Sequence, residues 1–419
     1  MSSNAATGSS FPNRWVIAAA AFFMQLALGA VYAWSVFLNP VIKAYGVTKA
    51  PANFTFSLAL LALGITAGFG GYLNSRFGPR AIATVAGIVY GAGIILAGFA
   101  APSLFVLYLT YGIIGGVGIG LGYIVALAML IKWFPDRRGF ITGLAVAGFG
   151  AGAALTGPVA ANWLLPPYQL GTTLIILGIA YLVIVVVAAQ FFRRAPDGYA
   201  PPGWTPAPKT QEIRSKREYT LREALASPKW YVLWLTLALN VTAGAALISV
   251  ASPLAQDFTK VVAGVASTLV VTISIFNGAG RLFWGWLSDL IGRPFTFLSL
   301  FVIQIVAFAL TPLIGPGGFA LLFIPASLIG LCYGGGFGTM PAFAADFFGP
   351  KNAGTIYGVM LTAWSAGGIV GPLLIAGMDT RAALYVIAGI MLVSCVLPFV
   401  ARVLARQGAE TIEVVAGEA

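Results

Sequence analysis

The sequence predicts an all-α membrane protein, with twelve transmembrane helices in two pseudo-symmetric six-helix bundles. Three observations lead there. Hydrophobic residues make up 59% of the 419 and charged residues only 8%, and the mean hydropathy is +0.93, a balance that no soluble domain has. Apolar stretches of about 20 residues, the length a helix needs to cross a hydrocarbon core of about 30 Å, recur about twelve times. A loop pattern that follows the second stretch returns after the eighth.

Taken in order, residues 1–13 are polar, lack a basic n-region and a small-residue cleavage site, and are predicted to be a disordered cytoplasmic tail. The first bundle (14–193) holds apolar stretches at about 15–41, 54–73, 81–101, 104–131, 140–164 and 171–192. Residues 194–228 are rich in Pro, Lys and Arg and read as a cytoplasmic linker, with a short amphipathic helix predicted at 219–225. The second bundle (229–405) holds stretches at about 230–251, 262–287, 295–314, 319–344, 355–376 and 382–403, and a cytoplasmic tail (406–419) closes the chain.

Charge sets the orientation. With the N-terminus inside, the inner ends carry Arg14, Arg76, Arg80, Lys132, Arg137, Arg138, the linker cluster, Arg293, Lys351, Arg402 and Arg406, whereas the outer ends carry only Lys43, Lys49, Lys260 and Arg381. The positive-inside rule then places both termini in the cytoplasm, in a membrane that the leaderless chain suggests is a bacterial inner membrane. The net charge of +11 is spent on these loops and not on a nucleic-acid surface. With no His in the chain, imidazole metal sites and His-based triads are excluded, and no metal or cofactor is expected. Cys332 and Cys395 both fall in apolar stretches and read as small packing residues. The partners expected are a small anion, a proton and membrane lipid, with the protein working as a monomer.

One residue breaks the apolar pattern of the spans. Arg281 stands in the eighth stretch, about 12 Å of helix from Asp289 at its end, close to mid-bilayer depth. A guanidinium there costs about 2.5–3.5 kcal/mol on insertion scales and cannot escape by losing its proton. Such a residue normally faces a water-filled cavity and meets an anion. The alternative is a structural Arg capped by carbonyls of a neighbouring helix or snorkelling toward the cytoplasm. Since the guanidinium fork holds a carboxylate through two parallel hydrogen bonds, an organic acid is the ligand that fits.

The repeat organises the rest. Gly71-Tyr72-Leu73-Asn74-Ser75-Arg76-Phe77-Gly78-Pro79-Arg80 matches Gly285-Trp286-Leu287-Ser288-Asp289-Leu290-Ile291-Gly292-Arg293-Pro294, and the loop after Lys132 matches the one after Asp346 at the same offset. Two homologous halves are implied, with a solute site at their interface near the midplane. The second copy, with Gly285, Asp289, Gly292 and Arg293, resembles the cytoplasmic loop motif of the major facilitator superfamily. The first keeps Gly71, Arg76 and Gly78 but has Ser75 in the place of the Asp. Within that superfamily, Gly29-x-x-Tyr32-x-Trp34 with Asn39-Pro40-Val41, the Trp133-to-Gly139 loop and the run Phe276–Arg281–Gly285 are similar to the oxalate/formate antiporter and monocarboxylate transporter group. The resemblance implies a secondary transporter without enzymatic activity, in which Arg281 is the substrate-binding cation and the motif loops gate the pathway.

Two departures shape the expected substrate. Oxalate-type exchangers carry a second cation in span eleven, where this chain has Trp364, so one buried cation would balance one negative charge and a monocarboxylate such as lactate or pyruvate is favoured. Animal-type monocarboxylate transporters have an acid one turn before the Arg, where this chain has Asn277. Proton symport would then need another carboxylate. Asp257 is the proton-coupling candidate, provided that span seven breaks at Pro253; its ordinary reading is a solvated loop acid. Asn277 shares a helix face with Arg281 and would orient it or bind the solute, or else simply bridge two helices. Tyr123 and Tyr333, in Gly-rich contexts, are candidate hydroxyl donors, with Phe337 and Leu28 as an apolar wall, and plain helix packing explains any one Tyr equally well. Exchange of one organic anion for another is the alternative within the class. A cation exporter would want an intramembrane acid, and an intramembrane enzyme would want a nucleophile with its base.

Overall fold

The computed structural model describes residues 13–196, 199, 201, 218–349 and 352–404, the side chains of residues 138–140 and 142 apart. The expected tails, most of the linker, Lys351 and Arg406 lie outside the described residues.

Among the described residues, eleven apolar helical segments are long enough to cross a membrane. The first four are α1 (Arg14–Tyr45), α2 (Lys49–Phe77), α3 (Pro79–Ala97) and α4 (Leu104–Trp133). The next, Gly143–Gln190, is 48 residues long and contains two crossings. After Pro166 and Pro167 its backbone leaves the helical region at Gln169 (φ 60°, ψ −176°), which separates α5 (138–164) from α6 (170–190). The second half comprises α7 (Pro228–Thr259), α8 (Ala263–Ile291), α9 (Arg293–Leu313), α10 (Phe319–Phe348), α11 (Ala353–Gly377) and α12 (Thr380–Leu404). The twelve expected crossings are thus present. Their ends overrun the apolar stretches because polar residues continue the hydrogen-bonded turns: α2 starts at Lys49 and α7 ends at Thr259. The predicted linker helix is shorter, at Leu221–Leu225, and its start is fixed by a capping box between Thr220 and Glu223.

The packing repeats between the halves. In the first, α2 lies on α4, α3 on α6 and α1 on α5; in the second, α8 lies on α10, α9 on α12 and α7 on α11. The two motif loops also turn alike. Gly78 and Gly292 both adopt φ 85°, a left-handed conformation that a side chain would strain, and each donates its N–H back to the preceding helix, to Asn74 O (2.9 Å) and Ser288 O (3.1 Å).

Between the halves run two long seams, α2 against α11 and α5 against α8. Both are closed along their length. On the α5–α8 seam, a Cβ on Gly143 would lie 2.4 Å from Leu282, one on Gly150 would lie 2.7 Å from Gly278 N, and one on Gly264 would lie 2.4 Å from Asn162. At the end away from the termini, Lys49 Nζ donates to Thr380 Oγ1 (2.9 Å), and buried Asn53 donates to Ser249 Oγ (2.9 Å) and Pro372 O (3.2 Å) while accepting from Trp34 Nε1 (3.0 Å). The molecule is therefore occluded, with its centre sealed from both ends.

Candidate functional site

Arg281 lies in that sealed centre. It sits ten residues before Ile291, about 15 Å of helix from the end of α8, and is 2% exposed. Glycines set its surroundings. A Cβ on Gly334 would fall 2.0 Å from Asn277 O and one on Gly338 2.2 Å from Arg281 O, so α10 lies directly against α8 at these two residues. This approach puts Tyr333 and Phe337, each one residue before a contact glycine, beside the guanidinium.

The guanidinium carbon is 4.9 Å from the centre of the Phe337 ring and 5.7 Å from that of Phe149 on α5, within cation–π range of one aromatic from each half. Its Nε donates to Asn277 Oδ1 at 3.3 Å, the i, i+4 contact expected. Among the described residues Nη1 and Nη2 have no hydrogen-bond partner, nor has Asn277 Nδ2. The hydroxyl of Tyr123 interacts electrostatically with the guanidinium and faces the hydroxyl of Tyr357, yet neither contact meets hydrogen-bond geometry, and the Tyr357 hydroxyl is also unpaired. The carbonyl-capped alternative for Arg281 therefore fails: no backbone carbonyl accepts from its fork.

Aromatic rings enclose this charge. Trp364 packs on Phe337 (4.5 Å between centres), Tyr123 (5.3 Å) and Phe149 (5.5 Å), and its Nε1 donates to Tyr333 Oη at 3.1 Å. Tyr333 Oη is also 3.0 Å from Tyr32 Oη, so a hydrogen bond joins the two halves across the centre. Tyr32 reaches there because α1 tightens into a 3-10 turn over Gly29–Ala33. A Cβ on Gly29 would lie 1.9 Å from Phe149 O, which holds α1 and α5 together at the same level. Beside Asn277, Ser274 and Tyr32 remains a void of about 10 Å³, room for one water.

Of the residues expected from sequence, Arg281, Asn277, Tyr123, Tyr333 and Phe337 converge here. Leu28 is fully buried, but its contact is with Gly122 of α4, 2.6 Å from where a Cβ would sit. Asp257 does not join them. α7 stays helical through Pro253 to Thr259, so the expected break is absent and the exposed Asp257 remains at the outer end of the helix, in electrostatic contact with Lys49. Phe149 and Tyr357 were missed, and Tyr32 was noticed only inside a motif. A signal existed for the pairing of sides: Tyr123 and Phe337 stand at the offset that relates the two loop motifs (337 − 123 = 289 − 75).

The loop motifs differ in charge. Arg293 pairs with Asp289 one turn before it and with Asp346 at the end of α10 (3.2 Å). In the first copy Ser75 Oγ donates to Tyr72 O (2.7 Å), and Arg76 lies over the Phe77 ring (5.4 Å). Gly71 and Gly285 leave room around them: a Cβ on Gly71 would meet nothing within 4 Å, and one on Gly285 would come no closer than 3.5 Å to Gly338 O. Among the described residues no group of three or more His, Cys, Asp or Glu could hold a metal.

Sequence comparison agrees with this architecture. The Major Facilitator Superfamily profile matches residues 15–372 and again 233–416. The oxalate:formate antiporter of Oxalobacter formigenes is 28% identical over 377 residues, 88% of this chain and 86% of its own. Monocarboxylate transporter 11 of Mus musculus is 28% identical over 376 residues, 85% of this chain and 79% of its own. The crystal structure of a bacterial homologue of the human lysosomal transporter Spinster, inward-facing and occupied, superposes with a TM-score of 0.68 at 18% identity, over 96% of this chain and 98% of that one, which shows the shared fold. An integral membrane protein of two packed six-helix halves, related over most of its length to membrane transporters, this chain belongs to the Major Facilitator Superfamily.

Proposed function

We propose that the protein is a secondary transporter of short-chain monocarboxylates of the lactate or pyruvate type, working by alternating access, with proton symport as its coupling and both termini in the cytoplasm of a bacterial inner membrane. The observation that carries this reading is the pair of unpaired guanidinium nitrogens on Arg281, buried at the junction of the halves. Leaving buried donors unmade costs about 1–3 kcal/mol each, more for charged groups, and the ring faces of Phe337 and Phe149 offset only part of that. A carboxylate would satisfy both nitrogens at once. Asn277 Nδ2 and the Tyr357 hydroxyl, also unpaired among the described residues, would be the donors to an α-hydroxy or α-keto oxygen.

The carboxylate count follows from charge. With Trp364 packed on Phe337, Tyr123 and Phe149 around the charge, a second negative charge would find aromatic carbon, so dicarboxylates should compete weakly. The centre has room for about one water as it stands, so binding requires the seams to separate, as rocking of two halves about a midplane site does.

The test is uptake of labelled lactate by proteoliposomes under an imposed pH gradient. Wild type should accumulate lactate and acidify the lumen, and Arg281→Ala should not accumulate it. Uptake that ignores the gradient and requires anion inside the vesicle would establish instead the exchange performed by the related oxalate:formate antiporter.

A further inference from the structure

A second cavity lies away from Arg281. It is a groove of about 570 Å³ at the end of the molecule that carries the termini, between the α2–α3 loop and the end of α6, lined by Phe77, Arg80, Phe192, Arg193 and Arg194 among others. The three guanidiniums are held in position by neutral acceptors. Arg80 donates from Nε (2.9 Å) and Nη2 (2.6 Å) to Gln190 Oε1, Arg193 from Nη1 to Gln190 O (2.7 Å) and Phe192 O (2.9 Å), and Arg194 from Nη2 to Ser75 O (2.7 Å). Each guanidinium has five N–H donors, and its bonds to the described residues use one or two of them. Among the described residues no carboxylate pairs with any of the three.

The matching loop of the second half is ion-paired. There Arg293 is matched by Asp289 and Asp346. The offset between the halves puts Ser75 at the position of Asp289 and Lys132 at that of Asp346 (289 − 75 = 346 − 132), so the first half has neither of these carboxylates. The groove also opens onto lipid-facing surface. Exposed Phe69 and Tyr72 share a face of α2, exposed Phe77 stands at its end, and exposed Val187 and Phe191 share a face of α6.

We propose that this groove is a binding site for the phosphodiester headgroup of an anionic phospholipid in the leaflet on that side, with the three arginines holding the phosphate and the aromatic faces of α2 and α6 receiving the acyl chains. Charge and depth both select this occupant: the groove lies at span ends, where headgroups are, and basic pockets between transmembrane helices suit anionic headgroups.

The experiment uses the purified full-length protein in neutral detergent, with phosphatidylglycerol or phosphatidylcholine added, read by native mass spectrometry and by the melting temperature. Wild type should retain phosphatidylglycerol in preference to phosphatidylcholine and melt higher in its presence, with both effects weakening as salt rises. The Arg80→Gln, Arg193→Gln, Arg194→Gln triple variant should bind phosphatidylglycerol about 10- to 100-fold more weakly. The triple Lys variant should keep most of the binding, and Arg222→Gln, on the linker helix outside the groove, should keep all of it. Equal retention of the two lipids by wild type, undiminished phosphatidylglycerol binding in the triple Gln variant, or the same melting shift from inorganic phosphate alone would each overturn the proposal.

Discussion

Arg281 is where stability and function oppose one another. A fully paired buried charge is damaged by removing its partner, whereas an unpaired one is relieved by removing the charge itself. Arg281→Met, which keeps the length of the side chain and its contact with Phe337, is therefore expected to raise the melting temperature, by the equivalent of about 1–2 kcal/mol, while abolishing lactate uptake. A lower melting temperature would show that the guanidinium has a structural partner. Arg281→Lys retains the charge and loses the fork, so uptake should fall by at least about tenfold even though the fold is kept. At the same scale, Trp364→Phe deletes the donor to Tyr333 Oη and keeps the ring contacts. The expected change is a modest rise in KM for lactate, because Tyr333 Oη keeps its bond to Tyr32.

Between elements, the helix contacts that build the site are glycine contacts, and they are unequal. Gly334→Ala would push a methyl to 2.0 Å from Asn277 O, which forces α8 and α10 apart at a cost of about 1–3 kcal/mol or more. Gly71→Ala, in the loop motif, meets open space. Thermal melts should show a clear loss for the first and little for the second, although the sequence motif singles out only Gly71. A second element-level contact responds to pH. Arg14 grips Asp136, in the loop after α4, through Nη1–Oδ1 (2.6 Å) and Nη2–Oδ2 (3.0 Å). That hydrogen-bonded guanidinium, helped by Arg137, holds the Asp136 carboxyl below its usual range despite the opposing effect of burial. Since the folded pKa is the depressed one, the stabilisation is present above the unfolded value of about 3.9 and disappears as pH falls through the folded value. Asp136→Asn should accordingly melt below wild type at pH 7, and the gap should close on acidification below about pH 4.

On the scale of the whole molecule, alternating access requires the halves to part at one end while they stay together at the other, and the end away from the termini has an identifiable fastening. Asn53 ties α2 to α7, to α11 and to Trp34 through three hydrogen bonds. Asn53→Ala leaves Ser249 and the Trp34 indole without that partner and should bias the protein toward opening at the end away from the termini. With buried Ser57 replaced by Cys as a reporter, an impermeant maleimide should label the Asn53→Ala background faster than the Asn53 background. Equal labelling rates would mean that Lys49 and Thr380, or packing alone, keep that end closed.

The fold was legible because a bilayer imposes a one-dimensional rule: span length, punctuation by loops and the placement of basic residues are all read along the chain. Arg281 was legible for the same reason, since a permanent charge at that depth is conspicuous against apolar neighbours. What surrounds it was legible only in part. Tyr123, Tyr333 and Phe337 stand in Gly-rich runs that mark close helix contact, but Phe149 and Tyr357 sit among many aromatics of the spans with nothing local to distinguish them. Pro253 suggested a broken α7, and neighbouring helices instead support the turn it interrupts, so Asp257 stays at the rim. The sequence by itself determined twelve crossings, two related halves and one fixed charge in the membrane interior, because each depends on composition within a single span. Only the tertiary structure decided that the Arg281 fork has no partner, that rings from both halves enclose it and that the unneutralised arginines gather at one groove, because those facts depend on side chains brought together from helices far apart in the chain.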